Sequence, residues 1–523
     1  MAVTSYGNLT ITAAFRATAA RVPSRVAISF DDRDYTYAEL DDRSARLAAA
    51  LRGRASCAPG ARVGVLLPNG PRFLTAILAI ARAGLASVPI PLASTPREVG
   101  HIVEDGQLTM VLTESAVLDR LGTELDDVAG PGVVHAWDRD LPGAHSIAGM
   151  MLESPHSDLD LAQENAPFFI GYTSGTTGRP KGAMVSHRAR TLLSLAYGQE
   201  YGCYVPGERH LIATPMYHGA GLTRALAPLL AGASVEVHAR FDPERVLCAI
   251  GAGRATATFM VPTMFASLFQ LPETVLDGGR SSSLRTILSN ASALPEFLKA
   301  RILDQWPEAR LFEIYGSTEA GTVSSLRPED QRRKHRCVGL PMPLTEVRLL
   351  TSEGEEAAPG EVGAVHARSP YLFSGYLGNQ IATDEVMKDG YLNLGDLARR
   401  DEEGYLYVVG RSSEVIISGG VNVYPREVEE YLAEQPGVRE VAVFGVPDPH
   451  WGEAVHAVIV ADPRSPTPSA ETLLQLCRRG LAPAKIPKRF LFRLALPRTP
   501  TGKVAKQELR EEVMRERGSG GEA

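Results

Sequence analysis

Gly171-Tyr172-Thr173-Ser174-Gly175-Thr176-Thr177-Gly178-Arg179-Pro180-Lys181-Gly182 follows an apolar strand, Pro167-Phe168-Phe169-Ile170, and precedes a helical pattern opened by Ser186-His187. Its glycines let backbone amides close around anionic oxygens. The hydroxyls of Thr173, Ser174, Thr176 and Thr177 add donors, Gly175 and Gly178 add backbone freedom, and Lys181 adds charge. By composition this is a phosphate cradle in a strand–loop–helix setting. It is not the common NTPase loop, because Pro180 stands where glycine must precede the lysine and neither Ser nor Thr follows. A merely flexible Gly/Ser/Thr loop is the bland alternative, and Lys181 with its flanking elements weighs against it.

The chain around this run alternates helical and strand patterns. Thr36 and Glu39 form a capping-box pattern ahead of Leu40, Leu47 and Leu51, and Gly53 stands where that helix should stop. The β-rich run 61–67 ends at Pro68-Asn69-Gly70, and a helical segment from Arg72 to Ala83 leads into a strand at Ala86 to Ile90. Such order predicts parallel sheets covered by helices. The polar stretch Ser154 to Gln163 reads as a surface connection and a candidate boundary. A second joint is expected near Arg411 to Ser413, where turns and short strands give way to a new α+β pattern.

At 523 residues the chain exceeds what one core organises, so two domains are expected. Its 44% hydrophobic and 22% charged residues suit a soluble globular protein, and its net charge of −7 gives no general case for nucleic acid. Arg332-Arg333-Lys334-His335-Arg336 is a basic cluster, read first as a solvated loop and second as a polyphosphate contact. Five scattered cysteines without a CxxC pair argue against a disulfide framework and for a reducing compartment. No secretory signal is visible at Met1–Tyr6, and the apolar stretch from Phe73 to Leu92 is interrupted by Arg82, Pro89 and Pro91. A cytoplasmic protein without a membrane span is expected.

Further runs carry chemistry. In Ile314-Tyr315-Gly316-Ser317-Thr318-Glu319, a carboxylate beside a glycine turn at a strand end can hold Mg²⁺ on phosphate oxygens, and an aromatic there can stack on a base. Tyr391-Leu392-Asn393-Leu394-Gly395-Asp396 offers an acidic side chain of the kind that accepts ribose hydroxyls. Gly410-Arg411 follows, and Pro497-Arg498-Thr499-Pro500-Thr501-Gly502-Lys503 sets a lysine on a loop defined by Pro and Gly.

Together these runs resemble the acyl-adenylate-forming enzymes, which include acyl-CoA synthetases, adenylation domains and luciferases. The resemblance spans nearly the whole chain. It implies that Thr173 to Gly178 and Lys181 hold phosphates and that Tyr315-Gly316 border the adenine. It also implies that Thr318 lies near the α-phosphate, that Glu319 serves the metal, and that Asp396 and Arg411 meet the ribose. Lys503 would bridge substrate carboxylate and α-phosphate during adenylation, a stabilisation worth ~3 kcal/mol or more. His218, in Pro215-Met216-Tyr217-His218-Gly219-Ala220-Gly221, would border the acyl pocket where relatives for α-amino acids carry aspartate. The segments 260–264 and 289–293 would line the rest and suit an alkyl or aryl acid. Gly420, in Ser418-Gly419-Gly420-Val421, would give a pantetheine arm close passage.

The resemblance thus implies ATP, Mg²⁺ and CoA as cofactors, with a carrier-protein thiol or an amine as alternative acceptors. A non-catalytic nucleotide-binding regulator is the remaining alternative. Two positions depart from the family pattern: Leu394 stands where threonine is common, and Ser413 where Asp or Lys forms the pivot. Only about a helix and a Gly-rich tail follow Lys503, so the enzyme is expected to stand alone. The fold expected is α/β. A large domain at about residues 1–410 would hold two doubly wound sheets and a β-rich subdomain near 330–400, and 411–523 would form a small α+β domain.

Overall fold

The computed structural model describes residues 9–519 except 55, 123–129, 131, 142–143, 174–179, 281–282, 464 and 499–503. The chain forms two compact units, Met1–Val347 with Ala367–Leu392, and Arg348–His366 with Asn393–Ala523.

Two sheets organise the first unit. The smaller runs, edge to edge, Val134–Ala136, Leu108–Thr113, Arg62–Val65, Ala86–Pro89, Pro167–Thr173 and Lys181–Ser186. All neighbours are parallel except the last pair. The larger runs Leu340–Pro341, Gly321–Leu326, Arg310–Ser317, Thr286–Ser289, Ala257–Met260, Arg209–Ile212, Ser234–Val237, Val26–Phe30 and Arg33–Thr36. Strands such as Ala257–Met260 and Thr286–Ser289 are buried at every position, as a sheet covered on both faces requires. These are the doubly wound sheets expected from the alternating pattern.

Helix Tyr37–Arg52 begins with the expected box: the Thr36 hydroxyl accepts from the Glu39 amide at 3.2 Å, and the Glu39 carboxylate accepts from the Thr36 amide at 2.7 Å. Helix Pro71–Arg82 is buried at every position but Arg72, so its buried charge, Arg82, must be satisfied internally. Arg82 pairs with Asp41 at 2.6 Å and donates to Ser44 at 3.1 Å and to the carbonyl of Leu159 at 3.3 Å. Removing one member of such a buried pair costs about 3–5 kcal/mol.

Three readings of the sequence need correcting or filling in. The stretch Ser154 to Gln163 is a surface connection but separates no domains. The next strand, Pro167–Thr173, joins the same sheet as Ala86–Pro89, and the stretch itself is tied down by Asp158 and Asp160 to Arg16 and by Leu159 to Arg82. The glycine-rich run joins two strands, not a strand and a helix. Lys181–Ser186 turns back antiparallel along Pro167–Thr173, pairing Thr173 with Lys181, before the helix His187–Tyr201 begins. Its residues Ala183-Met184-Val185 can pair as a strand, which the glycines and helix signals around them concealed. The basic cluster is spent on neighbours: Arg332 on Asp304, Arg333 on Asp330, and His335 on Glu296.

The second unit contains a hairpin that pairs Asp396 with Arg411 and Leu397 with Gly410. A separate sheet follows, with the long antiparallel strands Val438–Asp448 and Gly452–Ala461 at its centre and Arg489–Arg493 parallel to the latter. Helices Pro425–Ala433 and Ala470–Gly480 bury Val428, Leu432, Leu473 and Cys477 against Ile416, Val443, Val455 and Ile459. This is the small α+β body expected towards the C-terminus. Among the described residues no helix is long and apolar enough to cross a membrane.

Candidate active site

In the larger sheet the order places Arg209–Ile212 between Ser234–Val237, which follows it in the chain, and Ala257–Met260, which comes later. Connections therefore leave on opposite sides, and a crevice opens at the strand ends, where open α/β sheets take ligands. Arg209–Ile212, Ala257–Met260, Thr286–Ser289 and Arg310–Ser317 are parallel neighbours. The segments 213–218, 261–264, 290–293 and 315–319 therefore emerge along one edge. Ala291, in this row, holds φ +79°, a conformation β-carbon residues rarely adopt, with its amide donating to the Asn290 side chain.

At that edge the backbone passes too closely for side chains. A Cβ on Gly316 would overlap the carbonyl oxygen of Gly321, and one on Gly221 would overlap that of Pro215. Glycine is thus obligatory at both turns. At Gly171 a Cβ would stand 3.0 Å from Thr318 Cγ2 and 3.1 Å from Phe169 Cε2. At Gly219 it would stand 3.3 Å from Phe169 Cζ and 3.8 Å from Thr318 Oγ1. Three expected segments therefore meet here: the start of the glycine-rich run, Thr318, and the loop of His218. His218 precedes helix Gly219–Ala231, with its ring edge-on to Tyr217 at 4.6 Å.

Glu319 sits beside this point. Its Oε1 accepts from the hydroxyls of Thr173 and Tyr376, each at 3.2 Å. Lys181 Nζ lies 5.4 Å from the centroid of the Tyr376 ring, within cation–π range. Tyr376 is held by backbone bonds from 374–377 to the strand Lys181–Ser186, including Leu377 N to Gly182 O at 2.8 Å and Met184 N to Gly375 O at 3.0 Å. Sequence reasoning missed Tyr376. The available signal was Gly375-Tyr376, a glycine turn (φ +119°) before an aromatic, but only tertiary pairing carries it to Lys181 and Glu319. Tyr315 pairs with Ser324 in the adjoining hairpin, and a register shift falls between it and Gly316. Among the described residues no three or more His, Cys, Asp or Glu cluster as a metal cage. Ser174, Gly175, Thr176, Thr177, Gly178 and Lys503 lie outside the described residues.

In the second unit Asp396 and Arg411 are direct partners, Arg411 Nε to Asp396 Oδ1 at 2.8 Å, with Asp396 buried and Arg411 partly buried. Arg411 also donates to the Leu394 carbonyl at 3.3 Å. The Leu394 side chain is buried, so the position suits an apolar residue. Gly420 holds φ +79° with nothing within 4 Å of a Cβ position among the described residues, whereas neighbouring Gly419 faces Trp451. On either side of 499–503 the chain is pinned by Ala505 N to Pro497 O at 2.9 Å, and by Lys506 on Glu414 at 2.9 Å and Glu429 at 2.8 Å.

Comparison with known proteins agrees with this geometry. Residues 15–377 match the family model of the AMP-binding enzymes, and residues 427–503 match that of the AMP-binding enzyme C-terminal domain. A feruloyl-CoA synthase of Amycolatopsis sp is 36% identical over 499 residues, covering 93% of this chain and 96% of that protein. ATP-bound MatB from Rhodopseudomonas palustris superposes with a TM-score of 0.87 at 30% identity, covering 97% and 99% of the two chains. The amide bond synthetase McbA from Marinactinospora thermotolerans superposes with a TM-score of 0.86 at 29% identity, covering 96% and 99%. The α/β architecture, the strand-end site and these matches lead to one conclusion: the chain belongs to the AMP-binding enzyme family of adenylate-forming enzymes.

Proposed function

We propose that the protein activates a carboxylic acid with ATP, releasing pyrophosphate to leave an acyl-AMP, and then passes the acyl group to CoA. The observation that carries this reading is the convergence of Thr173, Lys181, Thr318, Glu319 and Tyr376 beside the Gly219 turn. Phosphate-binding groups and an acid-binding loop thus share one strand-end crevice. Lys181 and the Thr173 hydroxyl neutralise and orient phosphate oxygens, and Thr318 donates near the attacked phosphorus. The His218 loop sets the acid carboxylate for in-line attack, Asp396 with Arg411 receives the ribose, and Lys503 serves the first half-reaction. We assign the pivot for the second half-reaction to Arg411–Ser413, with 1–410 and 411–523 as the functional parts.

A single carboxylate braced by two hydroxyls suits Mg²⁺, a hard cation that takes one or two carboxylates and completes its shell with phosphate oxygens and water. Glu319 would hold it, and the ion would offset charge on the leaving pyrophosphate. The reducing cytoplasm fits the five cysteines, none of which forms a disulfide among the described residues.

CoA is favoured as acceptor by the similarity to CoA-forming relatives and by the open, left-handed backbone at Gly420. The likeness to an amide bond synthetase supports a second reading, transfer to an amine. Incubation with ATP, Mg²⁺ and a panel of acids, with CoA, a carrier protein or amines added in turn, tests both. Thioester formed with CoA supports the first reading, amide formed in preference to thioester supports the second, and absence of acid-dependent pyrophosphate exchange overturns both.

A further inference from the structure

The turn Pro68-Asn69-Gly70-Pro71 joins the strand Arg62–Val65 of the smaller sheet to helix Pro71–Arg82. Its two prolines have fixed φ angles, so Asn69 stands on a stiff segment. The residue is only 5% exposed, and both polar atoms of its side chain are engaged. Nδ2 donates to the Thr214 carbonyl at 2.9 Å and to the His238 carbonyl at 3.2 Å, and Oδ1 accepts from the Met216 amide at 2.8 Å. The reverse amide orientation would set NH2 against the Met216 N–H and oxygen against two carbonyls, so these partners fix it.

All three partners are backbone groups just past strand ends of the larger sheet. Thr214 and Met216 follow Arg209–Ile212, and His238 follows Ser234–Val237, its parallel neighbour. Asn69 thus ties the smaller sheet to two strand ends beside the crevice. Backbone that has left its ladder must find other partners when buried. The loop 214–218 owes its shape to local contacts. His218 N donates to Pro215 O at 3.3 Å, and Gly221 lies so close to Pro215 that a Cβ would overlap the carbonyl. Those contacts are internal to the loop and the start of helix Gly219–Ala231. From outside, the Asn69 amide holds the loop backbone, while Phe169 packs against the Gly219 turn beside Thr318.

We propose that Asn69 is a positioning residue for acid recognition. By holding Thr214 and Met216 it sets where Tyr217 and His218 stand above the strand ends, and so how the acid's carboxylate meets the α-phosphate. It acts through the loop, because its own side chain is spent on backbone groups. This rests on the reading above that the acid is adenylated between the Gly219 turn and Thr318. The groups assigned to ATP, such as Thr173, Lys181 and Asp396, stand on other segments. Loss of Asn69 therefore falls on the acid and spares the nucleotide.

The test is ATP–pyrophosphate exchange by the full-length enzyme on the best acid of a panel, with KM measured separately for the acid and for ATP. Asn69→Ala should raise the acid KM about tenfold, inside the hundredfold that a 1 Å misplacement can cost. The ATP KM should stay within about twofold of wild type. Asn69→Ser, whose hydroxyl can satisfy these backbone groups through water, should show the same acid-only rise at smaller size. It decides the matter if the alanine variant does not fold. Arg82→Met, which breaks the buried pair with Asp41, controls for lost stability: it should lower the yield of active enzyme and leave both KM values unchanged. KM does not depend on the folded fraction, so less stable variants remain informative. An unchanged acid KM in the Asn69 variants, acid and ATP KM rising together, or an equal acid-KM rise in Arg82→Met overturns the proposal while the adenylation reading stands. No exchange by wild type with any acid would remove the adenylation reading and the proposal with it.

Discussion

Glu319 is held through one carboxylate oxygen, Oε1, which receives two hydroxyls. A glutamine there can still accept both through its amide oxygen, so Glu319→Gln should fold normally while losing the charge that a hard cation needs. The Mg²⁺ concentration for half-maximal pyrophosphate exchange is expected to rise by roughly tenfold or more. An unchanged magnesium curve would remove Glu319 from the metal. Gly420 allows a second test at this scale. At φ +79° a leucine costs about 1–2 kcal/mol of backbone strain, yet its Cβ meets no neighbour among the described residues. Gly420→Leu should therefore keep acyl-AMP formation and lose thioester release from CoA. Full thioester synthesis by the variant would show that no pantetheine arm passes this glycine.

Among the elements, the helix His187–Tyr201 and the strand Arg209–Ile212 each carry a histidine almost without exposure. Burial pulls His187 down to about 4, and burial likewise pulls His210 to about 4 against a bond to the Cys203 carbonyl. The unfolded chain protonates both near pH 6.5, whereas the folded chain resists until about pH 4. The unfolded state therefore binds more protons inside that window, and stability is lost as the pH falls through it. Each histidine can contribute up to about 1.4 kcal/mol per pH unit. The urea midpoint should fall between pH 6.5 and 5, before most carboxylates titrate, and His187→Gln should remove its share of the slope. A midpoint flat across that interval would contradict the assignment. The same helix follows the strand Lys181–Ser186, whose pairing was hidden in the sequence because glycines and helix signals flank a run only a few residues long.

For the whole molecule, the decisive experiment separates the half-reactions. Lys503→Ala should lower acyl-AMP formation by about a hundredfold, the usual scale for removing a group that stabilises transition-state charge. Transfer from synthetic acyl-AMP to CoA should change far less, and equal losses in a folded variant would argue against a role confined to the first step. The described residues flanking that lysine are pinned, Ala505 N to Pro497 O and Lys506 to Glu414 and Glu429. Much of this was legible from residues alone. Glycines, hydroxyls, a lysine and acidic side chains in a given order specify phosphate chemistry, and alternating periodicity specifies covered parallel sheets, because both depend on residue type and short-range spacing. Other features came only from tertiary structure. They include the crevice made by strand order, the passage of Tyr376 to Lys181 and Glu319, and the tie between Arg82 and the stretch 154–163. Which strands become neighbours, and which charges find partners once water is excluded, is decided by long-range packing that no local pattern encodes.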